Sequence, residues 1–458
     1  MLDEFKSSDS YFLTIRSLVG WLAFISFIAA CAAIIYFDDI QITQTQYQET
    51  PTIYNVRIFG GIKIVDGMSI ALFIILIVYQ FFHQNIVLTP FHRYIGIVFA
   101  VYCYAALIGF IYSFFYRYDY QIWLQDFQQT IYMVGFFLLT FHILDSKIKW
   151  KIFIVFFLSI LALKNVLIFQ ASLVGAGKAI GGWAFRASQN AEFAYFPMLF
   201  FPLLLLMLNK ISSILKVFMG FVLLVYIFNS LIGIYRTVWV MLLVGLFYLI
   251  IQLDNKKRII LILSGSLVLG SVLILIEGLF PKFLSLAWNY KFASIFEWSL
   301  EGDRSNATRR LELINVTNHV FKNFAFLHGM GLGAWWDDST RKLLPDLGSG
   351  FTYKARYYNT HMWWLTQFLK LGLIPMILYW LSIYKIFHRI ALFVKAMSWN
   401  EWEKSVLLGL NIGLLCSFVS SADFVRLFLV IGINIGASAS YIYLNNQKIG
   451  VSNISFSR

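Results

Sequence analysis

Charge is what this chain has least of. Lys, Arg, Asp and Glu make up 13% of its 458 residues, against 60% hydrophobic ones, and its mean hydropathy is +0.73. A soluble fold of this length cannot hide that much apolar surface, so a soluble globular protein is excluded. Cysteine is also scarce. Cys31, Cys103 and Cys416 stand alone inside apolar runs, which leaves no disulfide framework and no cysteine-based metal site; they read as small packing residues. The chain has no His-Glu-x-x-His, no paired-histidine spacing and no carboxylate cluster, so the sequence offers no metal site. It has no internal repeat and no low-complexity segment. The first apolar run, from about Leu18, lacks a small-residue cleavage site and reads as a retained helix. Acidic residues are outnumbered, 23 to 36, for a net charge of +13. In so apolar a chain that excess reads as cytoplasmic loop charge and contact with anionic lipid or phosphate, not as nucleic-acid binding.

What is present is a series of apolar runs, most of them long enough to cross a bilayer. The expected fold class is therefore all-α: a polytopic integral membrane protein of about twelve transmembrane helices. The runs lie near 17–37, 64–82, 94–115, 128–144, 152–170, 191–208, 217–235, 237–252, 259–279, 362–384, 405–422 and 426–444. With the N-terminus inside, the inner loops collect Lys6 and Arg16, Arg93, Lys147, Lys149 and Lys151, Lys210 and Lys216, Lys256, Lys257 and Arg258, Lys385 through Lys404, and Lys448. That bias predicts both termini in the cytoplasm. Three regions follow: an N-terminal bundle of about nine spans over 1–279, an external loop over 280–361, and three more spans with a short tail over 362–458.

The loop breaks the pattern of short connections. It carries ten Lys and Arg against seven acids, an unusual excess for an external loop. Loops of that length are usually functional. Its stretch NATRRLELINVTNHVFKNF repeats apolar residues at helical spacing.

Several residues invite chemical readings. Arg236, in IYRTVW, lies at the outer end of two apolar runs. It is either an interfacial arginine reaching lipid headgroups or an anion ligand, because a guanidinium offers phosphate a planar fork. Arg309 and Arg310 open the amphipathic stretch and face the same pair of readings, a solvated helix face or an anion site. Arg186, before the sixth span, is a weaker candidate of that kind, and Arg304 adds a further cation just upstream. Lys164 and Lys370 lie inside apolar runs and read as buried or snorkelling lysines. The segment HGMGLGAW, with Gly331 and Gly333, lacks the strand-to-helix context of a dinucleotide site. It is expected to form a tight turn that brings backbone close to a neighbouring helix or a substrate. His361 stands immediately before the apolar run WWLTQFLKLGLIPMILYW, at the expected outer membrane surface. It is either an interfacial histidine in an aromatic belt with Tyr357, Tyr358, Trp363 and Trp364, or a group that accepts a proton from a hydroxyl.

Four motifs occur in one order: IYRTVW, TRRLELI, GMGLG and HMWWLTQFLKLGLI. In that order the chain resembles the O-antigen ligase and O-antigen polymerase superfamily of bacterial envelope glycosyltransferases, over roughly residues 180–385. The resemblance implies a C-type glycosyltransferase-like membrane fold in the bacterial inner membrane, with its site on the periplasmic side. It implies transfer of a glycan from an undecaprenyl diphosphate carrier to a lipid A core sugar by a ligase, or to a carrier-linked repeat by a polymerase, without a metal or other cofactor. The ligase is the preferred reading and a flippase or transporter the remote one. By position, the resemblance makes His361, Arg310 and Arg236 catalytic, with Arg309 an alternative to Arg310. Arg186, Arg304, Arg309, Gly331 and Gly333 become candidate substrate-binding residues. The chain departs from the family's usual pattern at Met362, where Asn commonly follows the histidine, and at Tyr235, where a small or hydroxyl residue commonly precedes the arginine.

Overall fold

The computed structural model describes residues 17–32, 57–59, 62–83, 87–176, 212–232, 236–279, 281–282, 284–285, 304–338, 352–353, 356–360, 362–398, 401–417 and 425–448; at some helix positions, Arg236 and Arg304 among them, it describes the backbone alone. These residues are largely helical. The helices are α1 Ser17–Ala32, α2 Ile64–His83, α3 Pro90–Tyr116, α4 Tyr120–Ile143, α5 Lys147–Ala176, α6 Ser213–Ile232, α7 Arg236–Gln252, α8 Asn255–Leu279, α9 Arg304–Lys322, α10 Trp363–Leu371, α11 Leu373–Ala396, α12 Trp402–Ser417 and α13 Val425–Lys448. Two short antiparallel pairs complete the set: β1 Arg57–Phe59 with β2 Ile62–Lys63, and β3 Thr352–Tyr353 with β4 Arg356–Tyr357.

Among the described residues, five helices are long and apolar enough to cross a membrane: Pro90–Tyr116, Ser213–Leu231, Asn255–Leu279, Leu373–Ala396 and Phe428–Asn446. The chain is thus an all-α protein of multi-pass membrane character. Residues 191–208, expected as a span, lie outside the described residues.

Local chemistry sets the helix ends that matter most. α3 begins with Pro90 in its first turn, where the missing N–H costs nothing, and Thr89 donates its backbone N–H to His92 Nδ1 at 3.1 Å. It ends at Arg117, whose left-handed φ of 51° turns the chain while its N–H bonds Ser113 O. Two residues on, the Asp119 carboxylate caps α4 by accepting from Gln121 N at 2.9 Å. α3 and α4 therefore form an antiparallel hairpin. Its tip, residues 117–119, marks what is called here the turn end of the bundle. The far end of α4, about 36 Å away at 1.5 Å per residue over its 24 residues, is followed by Lys147, Lys149 and Lys151. There Lys147 Nζ bonds Asn445 Oδ1 and Lys151 pairs with Glu403 at 3.1 Å. This is the lysine end. α13 lies along α4, and small residues let the two approach closely: a side chain on Gly436 would meet Thr140 Cβ at 2.7 Å and Phe137 O at 2.8 Å.

One expected element differs. The apolar run read as a single span over 362–384 is two helices. α10 ends at Gly372, which adopts φ +71°, and the membrane-length helix is Leu373–Ala396. Trp363, at the start of α10, packs its ring against Tyr379, Trp380 and Phe428. One turn later Gln367 Nε2 donates to the Tyr102 hydroxyl at 3.3 Å. The end of α10 instead lies beside Gly329 and His328, and His328 Nε2 shares a 2.8 Å hydrogen bond with the Tyr112 hydroxyl. Tyr102 is ten residues, about 15 Å, farther along α3 from the turn end than Tyr112. α10 thus starts inside the bundle and runs toward the turn end, where Gly372 reverses the chain into α11.

Candidate functional site

The site is assembled at the turn end from segments distant in sequence. α9 is amphipathic and buries Leu311, Val316 and Val320 in a cluster with Met330, Ala334 and Trp336 of the glycine-rich turn and Leu365, Phe368 and Leu369 of α10. Tyr112, Tyr116 and Tyr118 of the α3 end border the same cluster. Polar contacts fix the arrangement. The Tyr116 hydroxyl donates to Asn323 Oδ1 at 2.8 Å, Tyr118 to Met330 O at 3.0 Å, and Asn315 Nδ2 to Asp338 Oδ1 at 2.8 Å. The Trp335 indole donates to Tyr116 O at 3.2 Å, and the Arg356 guanidinium covers its ring at 4.3 Å.

The turn does not project away from the bundle. Leu332 N donates to Ala105 O at 3.0 Å, in the middle of α3, while Met330 N and Gly331 N donate to Leu369 O and Lys370 O at 2.8 and 2.9 Å. Gly331, at φ +82°, sits against the backbone of Gly109, so neither residue has room for a Cβ. Gly333, at φ +78°, rests on Trp123. The close approach to a neighbouring helix expected of this turn is therefore present, and its partner is Gly109.

At the centre lies a buried ion pair. Lys370 Nζ donates to Asp126 Oδ1 at 2.7 Å, with side chains 8% and 6% exposed. The other carboxylate oxygen, Oδ2, accepts from Gly333 N at 2.8 Å, and Lys370 Nζ also donates to Asn359 Oδ1 at 2.7 Å. Four chain segments thus meet on two side chains. Just beyond Asn359, Thr360 is fully buried. Its N–H donates to Thr366 Oγ1 at 2.9 Å and its hydroxyl to Met362 O at 2.7 Å. Trp336 and Tyr357 are bridged through their backbones with rings stacked at 4.6 Å. Residues on both sides of position 361 are therefore held by named contacts.

The shifted ionisable groups outside the span-capable helices include His319 and Tyr357, both beside this cluster. Burial holds the His319 imidazole below its ordinary range; Asp337 opposes this shift and Lys322 adds to it. Burial, with a contribution from Asp338, pushes the Tyr357 phenol up. Among the described residues, no group of three His, Cys, Asp or Glu side chains could hold a metal ion.

The residues singled out from sequence divide as follows. Arg309, half-buried, and Arg310, exposed, lie on α9 just before Leu311 of the shared cluster. Arg304 is the first residue of α9 and Arg236 the first of α7. α7 packs on α12 and α6, and the side chains of both arginines lie outside the described residues. Arg186 and His361 also lie outside them. What can be corrected is the helix that follows His361: it begins in the bundle interior and runs outward, where a continuous span entered from the membrane surface was expected. Lys370 is buried, as its apolar setting suggested. Asp126, Asn359 and Gly109 were not singled out. Asp126 lies just before the apolar run that begins near 128, among Gln125, Gln128 and Gln129, so its sequence surroundings did not mark it as buried. No protein-family model matches the chain, and no curated protein matches it.

Proposed function

We propose that this protein is an O-antigen ligase-type glycosyltransferase of the bacterial inner membrane, with about twelve spans. It would move a glycan from an undecaprenyl diphosphate carrier to a sugar hydroxyl of the lipid A core on the periplasmic side. The observation that carries this reading is the convergence at one end of the bundle of three of the four ordered motifs: the α9 arginines, the glycine-rich turn and the helix following His361. That end is opposite Lys147, Lys149 and Lys151, which by the positive-inside rule belong to the cytoplasmic face.

In this mechanism the acceptor hydroxyl attacks the sugar carbon bonded to the carrier, and the carbon–oxygen bond to the diphosphate breaks. His361 takes the hydroxyl proton, a contribution of about 10²–10⁴-fold for a positioned base. Arg236 and either Arg310 or Arg309 offset the charge that develops on the departing diphosphate through charge-assisted hydrogen bonds. The cationic excess of the 280–361 loop attracts the anionic donor.

The test is transfer by purified enzyme from carrier-linked donor. His361→Ala, Arg236→Ala and Arg310→Ala are each expected to abolish product while inserting normally; full activity of His361→Ala refutes the base assignment. If Arg309→Ala is dead and Arg310→Ala active, Arg309 is the loop ligand. A deletion strain separates the two transferases. Polymer accumulating on the carrier indicates a ligase, and single repeats attached to core indicate a polymerase. One observation favours a transporter instead: the inward-starting α10 beside a buried ion pair resembles the broken helices of transport proteins. Substrate movement across vesicles without glycosidic bond formation would select it.

A further inference from the structure

We infer that Asp126, Lys370 and Asn359 form a positioning device that fixes the segment bearing position 361 against the glycine-rich turn. This rests on the reading of His361 as the proton acceptor.

Three observations carry it. The Lys370 ammonium is shared between Asp126 Oδ1 and Asn359 Oδ1, both at 2.7 Å, so one buried cation ties α4 to the residue two places before position 361. Asp126 uses its second oxygen on Gly333 N, so the same carboxylate sets the turn that follows the α9 arginines. Thr360 is held by both Thr366 and Met362 at the start of α10, so the residues either side of position 361 are tied to the helix that carries Lys370. A core that needed only packing would use apolar side chains here, because buried ion pairs add little net stability. Directional bonds from one ammonium to two oxygens instead fix geometry. None of the three side chains needs to touch a substrate.

The test begins with Asn359→Ala, which removes the terminal link and leaves the ion pair intact; Asn359→Asp keeps an acceptor beside the ammonium. Two readouts are taken on the full chain. In the transfer assay, Asn359→Ala should lower kcat by about 10²-fold, the scale of a 1 Å misplacement, with the donor KM unchanged and Asn359→Asp restoring most of the rate. In a background carrying Cys31→Ala, Cys103→Ala and Cys416→Ala, His361→Cys serves as a labelling reporter. Its rate of reaction with a membrane-impermeant maleimide should rise when Asn359→Ala is added and fall back with Asn359→Asp. Unchanged labelling and unchanged kcat overturn the inference, as does a loss of kcat accompanied by an equal rise in KM. The labelling arm needs no activity. If His361→Ala remains active while labelling responds to Asn359, the positioning of the segment stands and the base assignment falls.

Discussion

Removing the Lys370 ammonium while leaving Asp126 in place should be among the most damaging single changes in the chain. Lys370→Met preserves length and apolar bulk but strands a carboxylate that is 6% exposed, left with Gly333 N as its hydrogen-bond partner among the described residues. Breaking a buried pair from one side costs about 3–5 kcal/mol. At about 2 °C per kcal/mol, the low end for domains of 150–250 residues, the apparent Tm should fall by roughly 6–10 °C. Asp126→Asn combined with Lys370→Met removes both charges and keeps an amide oxygen for Gly333, and replacing both ions is often close to neutral. The double variant should therefore recover most of the loss. The assay is the temperature at which detergent-solubilised protein loses its monodisperse elution peak, measured for wild type, both single variants and the double. The reasoning fails if Lys370→Met is no less stable than the double variant, since the stranded charge would then carry no cost.

Gly331→Ala should lose about 2–5 kcal/mol, from a left-handed φ in a residue with a Cβ and a collision with Gly109, read in the same thermal assay. Asp119→Ala removes the α4 cap and should cost about 1 kcal/mol; an unchanged Tm would mean the α3–α4 turn does not depend on it. His319 is held neutral by burial, so below about pH 6.5 the unfolded chain binds more protons than the folded one. Stability should fall as pH drops through that window and level off below the lowered folded value. His319→Gln should flatten the slope, and an identical slope in the variant would refute the assignment.

The sequence made most helices legible because hydropathy is additive along a chain. α3, α6, α8 and α13 all coincide with apolar runs. The α10–α11 break was less legible, since WWLTQFLKLGLIPMILYW is apolar throughout and a running average registers no change of direction. Its punctuation was nonetheless present: Gly372 at the reversal, followed by Pro375 in the first turn of α11, where helical N–H groups lack partners in any case. Lys370 stood out as a charge in an apolar run, whereas Asp126, among Gln125, Gln128 and Gln129, did not. That each answers the other is a tertiary fact, and spacing along the chain carries no trace of it. The same holds for Gly109, an ordinary helical glycine until Gly331 is laid against it.

The distance in sequence between Asp126 and Lys370 has a consequence in time. The two are 244 residues apart, and at 5–20 residues per second a ribosome needs about 10–50 s to cover that interval. Throughout that period Asp126 is already part of α4 while its partner has not yet been synthesised. The nascent α3–α4 hairpin carries this carboxylate without its ammonium until α10 is made, and α13, which lies along α4, follows later still, so the contacts that close the bundle around α4 come from the C-terminal part of the chain.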